Sequence, residues 1–209
     1  MKIGIIGTGK MGSHLAQHWV EKGHQVMFGS RTPEKAVELA KQFGGKATGG
    51  SMAAAAEFGE AIVLAVPWHA AEETVRALGS LEGKTLIDIT NPLLPEMAGP
   101  DTEIGTSAAE QIAEWAEGAN VVKAFNTIYF VNLDNPVFGG KSASMFFCGD
   151  DETAKAHARQ LGKDTGLAPV DCGPLWMARH LESVGFLWIY LAFKQGKGTD
   201  FVINMQRRN

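Results

Sequence analysis

The chain has 209 residues, 45% hydrophobic and 20% charged, with a formal net charge of −4. That length suits one domain, and that composition belongs to a globular protein with a sizeable core rather than to a disordered chain. The acidic balance argues against nucleic acid as the main partner, because phosphate backbones require a concentrated basic face.

Read along the chain, short apolar runs alternate with amphipathic stretches, the pattern of a mostly parallel sheet flanked by helices. Lys2–Ile6 reads as a buried strand, and Lys10–Lys22 as a helix with Met11, Leu15, Trp19 and Val20 near one face. Gly23 stops that helix. Gln25–Phe28 is the second strand and Pro33–Phe43 the second helix, with proline suitably placed in its first turn. A glycine-rich connection, 44–50, surrounds a short third strand at Lys46–Thr48, after which Ser51 caps an alanine-rich helix. Ala61–Val66 is a buried strand, His69–Leu81 a helix, and Lys84–Thr90 the fifth strand. Asn91–Thr106, rich in proline and glycine, reads as a functional loop. Ser107 opens a helix to Glu117, Val121–Phe125 is the sixth strand, and the rhythm then loosens. Ala143–Cys148 and Leu167–Val170 read as strands, Glu152–Gly162 as a helix, and Leu175–Phe193 as a final helix. The expected architecture is a doubly wound α/β Rossmann-type domain over 1–209: a dinucleotide-binding core, 1–130, and a C-terminal α/β extension, 131–209, ending in a helix.

Gly7-Thr8-Gly9-Lys10-Met11-Gly12 matches G-x-G-x-x-G directly after the first strand, where it opens the first helix. In that context Gly7 permits the turn, Gly9 lets the backbone approach a pyrophosphate, and Gly12 allows close helix–strand packing. The helix N-terminus then offers free amides to the diphosphate. At the end of the second strand, where NAD-specific folds place a carboxylate, the chain reads Phe28-Gly29-Ser30-Arg31-Thr32-Pro33-Glu34-Lys35. Arg31 can bind a 2′-phosphate through two bonds, Ser30 and Thr32 add hydroxyls, and Lys35 adds a second cation. The alternative is a solvated helix start; the missing carboxylate and the two cations together favour NADP(H) over NAD.

Ligands in such folds bind at the carboxyl ends of the strands. Those ends read Val66-Pro67-Trp68, Thr90-Asn91-Pro92 and Ala124-Phe125-Asn126-Thr127. Trp68 can stack near a nicotinamide or cover an apolar edge. Asn91 and Asn126 can bind its carboxamide or cap turns. His69 follows at the same rim, as a lesser candidate.

With these motifs stand Ser107-Ala108-Ala109-Glu110, Val122-Lys123 before Ala124, Cys148-Gly149-Asp150-Asp151, Asp171-Cys172-Gly173-Pro174-Leu175 and Arg179-His180-Leu181-Glu182-Ser183. In combination they resemble the NADP oxidoreductases that work with the deazaflavin coenzyme F420, and also the reductase domain of the six-transmembrane epithelial antigen metalloreductases. The resemblance covers nearly the whole chain. It implies NADP(H) on the glycine loop with Ser30, Arg31 and Lys35, and a flat flavin or deazaflavin ring against the nicotinamide near Asn126-Thr127-Ile128, with Asn126 and Thr127 as positioning residues. At Asn126 the chain is similar to the metalloreductases rather than to the deazaflavin enzymes, which carry histidine there; flavin, coenzyme F420 and other acceptors therefore stay open.

Hydride transfer between two rings needs position more than a side-chain acid. Two other readings remain: a reductase of a small C=N or C=O substrate, for which a proton donor is expected, and a non-catalytic NADPH sensor. His14 and His18, four apart on the first helix, lack a third metal ligand and read as a polar flank; no metal is expected. His180 and Glu182 read as packing or surface residues. Cys148 and Cys172 read as reduced thiols, with no metal-ligand spacing. Phe186, Leu187, Ile189, Tyr190 and Phe193 are too many apolar groups for one exposed helix, which predicts a homodimer. Met1–Ile6 lacks the form of a signal peptide, and the apolar run Val184–Phe193 is too short to span a bilayer. The expectation is a cytoplasmic NADP-dependent oxidoreductase with no membrane partner.

Overall fold

The computed structural model describes residues 1–95, 98–101 and 105–208. Strand β1 (Lys2–Ile6) is an interior strand of an eight-stranded sheet, its apolar run buried on both faces. Helix α1 (Lys10–Glu21) turns Leu15, Ala16, Trp19 and Val20 inward and ends at Lys22, before Gly23 in the left-handed region. Strand β2 (Gln25–Ser30), helix α2 (Pro33–Lys41), strand β3 (Ala47–Ser51) and helix α3 (Met52–Phe58) complete the first half. The alanines of α3 fit against glycines of the sheet. A Cβ on Gly4 would stand 2.1 Å from the Ala55 carbonyl oxygen, and one on Gly29 would stand 2.9 Å from the Ala55 Cβ.

The second half runs through β4 (Ala61–Leu64), α4 (Ala71–Arg76), β5 (Thr85–Asp88), α5 (Ala108–Trp115) and β6 (Asn120–Lys123). These six strands are parallel in the order β3-β2-β1-β4-β5-β6, the doubly wound arrangement expected. The chain moves outward in opposite directions from β1 and β4, which leaves a crevice over their carboxyl ends.

Beyond β6 come the short helix α6 (Val131–Asp134) and a small hairpin of β7 (Val137–Phe138) and β8 (Lys141–Ser142). Strand β9 (Ser144–Gly149) then joins the main sheet antiparallel to β6, and helix α7 (Glu152–Asp164) leads to β10 (Ala168–Asp171), parallel to β9. The last third therefore extends the first sheet. Trp19 on α1 donates its indole N–H to the Leu161 carbonyl on α7 at 3.0 Å, and His24 lies 2.9 Å from Asp164, so both parts share one core.

Several elements are shorter than their periodicity predicts. The helix expected over His69–Leu81 is a 3₁₀ turn, Trp68–Ala70, followed by α4, and strands β4, β5 and β6 stop where the chain bends out of the sheet. The final helix divides into a 3₁₀ turn (Leu175–Met177), helix α8 (Ala178–Ile189) and a π-turn (Tyr190–Lys194). Of the expected loop Asn91–Thr106, residues 96, 97 and 102–104 lie outside the described residues. Its neck is closed by a Leu93–Pro100 bridge and by the Asp101 amide donating to the Pro92 carbonyl at 2.8 Å. Among the described residues no helix is long and apolar enough to cross a membrane.

Candidate functional site

The three loop glycines have different reasons to be glycine. Gly7 donates its amide to Gly29 at 2.8 Å with φ +121°, and a Cβ there would lie 2.3 Å from the Ala65 carbonyl oxygen. A Cβ on Gly12 would press on Ile5 at 3.0 Å and Ala65 at 3.4 Å, so the spacing of α1 from the sheet fixes that position. Around Gly9 an added Cβ meets nothing within 4 Å. No demand of the fold requires glycine there, whereas a ligand lying on the backbone would. Gly9 is also the N-cap of α1 with no side-chain cap, and the first turn carries no carboxylate, so its amides are left for an anion. Gly9→Ala should thus cost stability only about 0.5 kcal/mol as a poorer cap, about 2 °C in melting. NADPH affinity should fall about tenfold or more, and calorimetric melting beside NADPH titration checks both.

Next to this loop, Arg31, Thr32 and Lys35 are exposed where β2 enters α2, and the Thr32 amide donates to the Ser30 hydroxyl at 3.2 Å. Neither Arg31 nor Lys35 forms an ion pair among the described residues. Two unneutralised cations and a hydroxyl on one rim suit the 2′-phosphate of NADP.

Two clefts meet at the strand ends. One, of about 230 Å³, lies between Gly9, Met11 and Gly12 of the loop and Val66, Pro67 and Thr90 opposite. The other, of about 470 Å³, is an aromatic bay walled by Phe125, Tyr129, Phe130, Trp188 and Phe193, with Asn126 at its base. Met11, Ile89, Asn91 and Ile189 line both, so the clefts are halves of one groove. Thr8 is half-buried and Lys10 exposed, and the Lys10 ammonium stands 5.3 Å from the ring of Phe130, which lines the bay.

The residues between the halves are held under constraint. Phe125 has φ 59°, which no other non-glycine residue among those described shares in sign, and it ends the run after Ala124. The Asn126 amide donates to Asn91 Oδ1 at 3.0 Å and to the Leu181 carbonyl at 2.9 Å, while Asn91 Nδ2 returns a bond to the Asn126 carbonyl at 2.9 Å. These partners fix which way the Asn126 amide points. Gly185 of α8 lies against the pair, since a Cβ there would stand 2.5 Å from Asn91 Oδ1. Thr90 Oγ1, Asn126 Oδ1 and Thr127 Oγ1 are buried without a hydrogen-bond partner among the described residues. Such atoms are costly in a finished core and useful beside a polar ligand. Thr90 and Asn126 line the groove, where a nicotinamide carboxamide offers donor and acceptor together, whereas Thr127 lines neither cleft.

Beneath the groove lies a cluster that pattern reading missed. Lys123 is fully buried, with its ammonium 2.8 Å from Asp88 Oδ2, 2.8 Å from Glu182 Oε1 and 2.7 Å from the Thr90 carbonyl. Burial pushes the ammonium toward releasing its proton, and the Asp88 and Glu182 carboxylates reverse that, holding it above the ordinary lysine value. Glu182 also accepts the amides of Ala108 and Ala109 at the start of α5. A single cluster thereby fastens α8 and α5 to the strand ends. The visible signal was a charge inside each of two apolar strands, Asp88 and Lys123.

Other candidates fall at the edge of the groove or outside it. Trp68 lines its edge but stacks on Trp115 at 5.5 Å and donates to Asp101 at 3.1 Å, so it covers the apolar face of α5. His69 and His180 are exposed, and His14 rests on the Phe130 ring at 4.8 Å with Nδ1 2.8 Å from the Lys10 carbonyl. Both cysteines are free thiols; burial pushes that of Cys148 up to about 12, which keeps it protonated and inert.

The family described as NADP oxidoreductase, coenzyme F420-dependent, matches residues 2–92. The F420-dependent NADP reductase of Methanothermobacter marburgensis is 34% identical over 210 residues, covering 93% of each chain. The rat metalloreductase STEAP3 is 31% identical over 184 residues, 88% of this chain but only 36% of that protein. Among solved structures, one described as an F420-dependent NADP-reductase from Arthrobacter sp. FB24 superposes with a TM-score of 0.86 at 29% identity, over 99% of this chain and all of that one.

Proposed function

The chain belongs to the F420-dependent NADP oxidoreductase family, and from that premise we propose that its groove holds NADP(H) beside a flat flavin or deazaflavin acceptor. As a member it is an NADP-dependent oxidoreductase; the acceptor is our own reading. NADPH supplies the hydride when bound. Gly7, Gly9 and Gly12, with the Thr8, Lys10 and Met11 segment, hold the diphosphate on the start of α1, and Ser30, Arg31, Thr32 and Lys35 hold the 2′-phosphate. Val66, Pro67, Trp68, Asn91, Ala124 and Asn126 frame the nicotinamide side, with Asn126 and Thr127 as positioning groups.

The observation that carries the acceptor is the shared wall of the two clefts, Met11, Ile89, Asn91 and Ile189. A glycine-loop cleft opening sideways into an apolar aromatic bay suits two flat rings laid face to face, and the apolar walls keep water from the transfer. A second reading has one observation in its favour: the bay includes Tyr129, a hydroxyl that could protonate a reduced C=N or C=O. We read the chain as one domain, its segment 131–209 carrying acceptor and dimer contacts, and as a cytoplasmic protein. The exposed Leu187, Tyr190 and Phe193 favour a homodimer, and a monomeric mass by solution scattering would overturn that part.

The test mixes the protein and NADPH with flavin mononucleotide, flavin adenine dinucleotide, coenzyme F420, ferric chelate or small imines, and follows nicotinamide absorbance. Turnover with a flat ring and not with imines supports the proposal. Turnover with imines alone moves the assignment to the second reading, and tight NADPH binding with no turnover makes the protein a sensor.

A further inference from the structure

Residues 199–205 have no regular secondary structure, yet Phe201 to Asn204 are half-buried. They are held by side chains rather than by a ladder. The buried Asn132, on α6, donates to the Thr199 carbonyl at 3.0 Å and to the Phe201 carbonyl at 3.1 Å. Asn204 Oδ1 accepts the Ser144 amide at 2.6 Å, and the Met205 amide donates to the Ser144 hydroxyl at 3.0 Å. The segment is pinned at both ends, to α6 and to the start of β9.

What lies between the pins is the back of the aromatic bay. Phe201 stacks on Trp188 with ring centres 5.1 Å apart and planes 23° from parallel, and Trp188 stacks in turn on Tyr129 at 5.4 Å and 24°. The Trp188 indole donates to the Phe201 carbonyl at 2.9 Å, which fixes its rotation as well as its depth. Phe193 closes the group edge-on, 5.7 Å from Tyr129 and 6.2 Å from Trp188. Tyr129, Trp188 and Phe193 line the bay, whereas Phe201 does not. The Phe201 ring reaches the bay through Trp188.

We propose that segment 199–205 is a brace that sets the width and planarity of the acceptor bay, with Phe201 and Asn132 as positioning residues for acceptor specificity. This rests on the bay being the acceptor site. A rigid wall of near-parallel rings favours a planar aromatic acceptor over a bent or aliphatic one, because a fixed face meets a flat ring without losing rotamer freedom. Neither Phe201 nor Asn132 lines the cleft of the glycine loop, so the loss of the brace should spare the cofactor.

The test measures flavin mononucleotide binding by quenching of tryptophan fluorescence in protein saturated with NADP⁺, and steady-state KM for both substrates. Phe201→Ala should raise the flavin Kd and KM about tenfold, the loss of a ring pair and of the wall's order, and leave the NADPH KM unchanged. Phe201→Tyr should restore both, and Phe201→Leu, which keeps apolar bulk without the flat ring, should fall between. Flavin binding by Phe201→Ala equal to wild type overturns the brace while leaving the function intact, as does a parallel rise in both KM values. Wild-type protein that binds no flat ring overturns the acceptor reading and the brace with it.

Discussion

Lys123→Met lowers folding stability by about 3–5 kcal/mol, the range for removing one partner of a buried ion pair, which is roughly 6–20 °C in melting temperature for a domain of this size. The substitution nearly preserves volume, so little of the loss comes from a cavity. It comes from Asp88 and Glu182, both buried, which would face each other without the cation between them. Glu182 would keep its two α5 amides and Asp88 the Thr90 amide, bonds that soften the loss without neutralising two charges. Lys41→Met is the control. Its pair with Glu38 is exposed on both sides, and it should cost less than about 0.5 kcal/mol. Thermal melting of the two variants beside wild type decides the matter, and equal small losses would mean that the buried cluster contributes nothing beyond a surface pair. Loosening α8 should also reach the groove, because Leu181 and Gly185 on the same helix position Asn126 and Asn91.

For Arg31→Ala, NADPH binding weakens by about 1.5–3 kcal/mol, the range for a charge-assisted hydrogen bond, or roughly 10- to 150-fold in Kd. NADH binding, which presents a hydroxyl in place of the phosphate, should change little. Arg31 has no carboxylate partner among the described residues, so its removal strands no buried charge and should leave melting unaltered. Arg31→Lys keeps the charge but loses the planar fork, and belongs between wild type and alanine. Titration of both nucleotides against both variants checks this. A matched loss for NADH and NADPH would move Arg31 from the phosphate to the adenine, and no loss for either would remove it from the site.

Legibility of the chain followed the range of the interactions. The glycine loop could be read because its strand, turn and helix are contiguous, and the rim Ser30-Arg31-Thr32 because it lies at a strand end. Trp68 was half-legible: its place at a strand end was plain, but not that Trp115 and Asp101 would hold it on α5. Lys123 was recognisable as a charge in an apolar strand, yet its partners lie 35 residues back on β5 and far ahead on α8, and no local pattern links them. The hairpin at Val137–Ser142 was there to be read in Gly139-Gly140, both of which adopt the positive φ of a tight turn, 57° and 76°. The brace at 199–205 could not be read, because it has no periodicity and its bonds come from Asn132 and Ser144 in distant parts of the chain.

The central claim is that one groove holds NADPH and a flat acceptor together. The most direct measurement is an anaerobic single turnover with NADPH deuterated at C4, in which nicotinamide oxidation and bleaching of the flavin or deazaflavin are recorded at once. The two signals should rise together, one ring reduced for each NADPH consumed, and deuterium on one face of the nicotinamide should slow both while deuterium on the other face slows neither. Nicotinamide oxidation without reduction of the ring, or a rate indifferent to deuterium on either face with the ring reduced independently, would contradict the account.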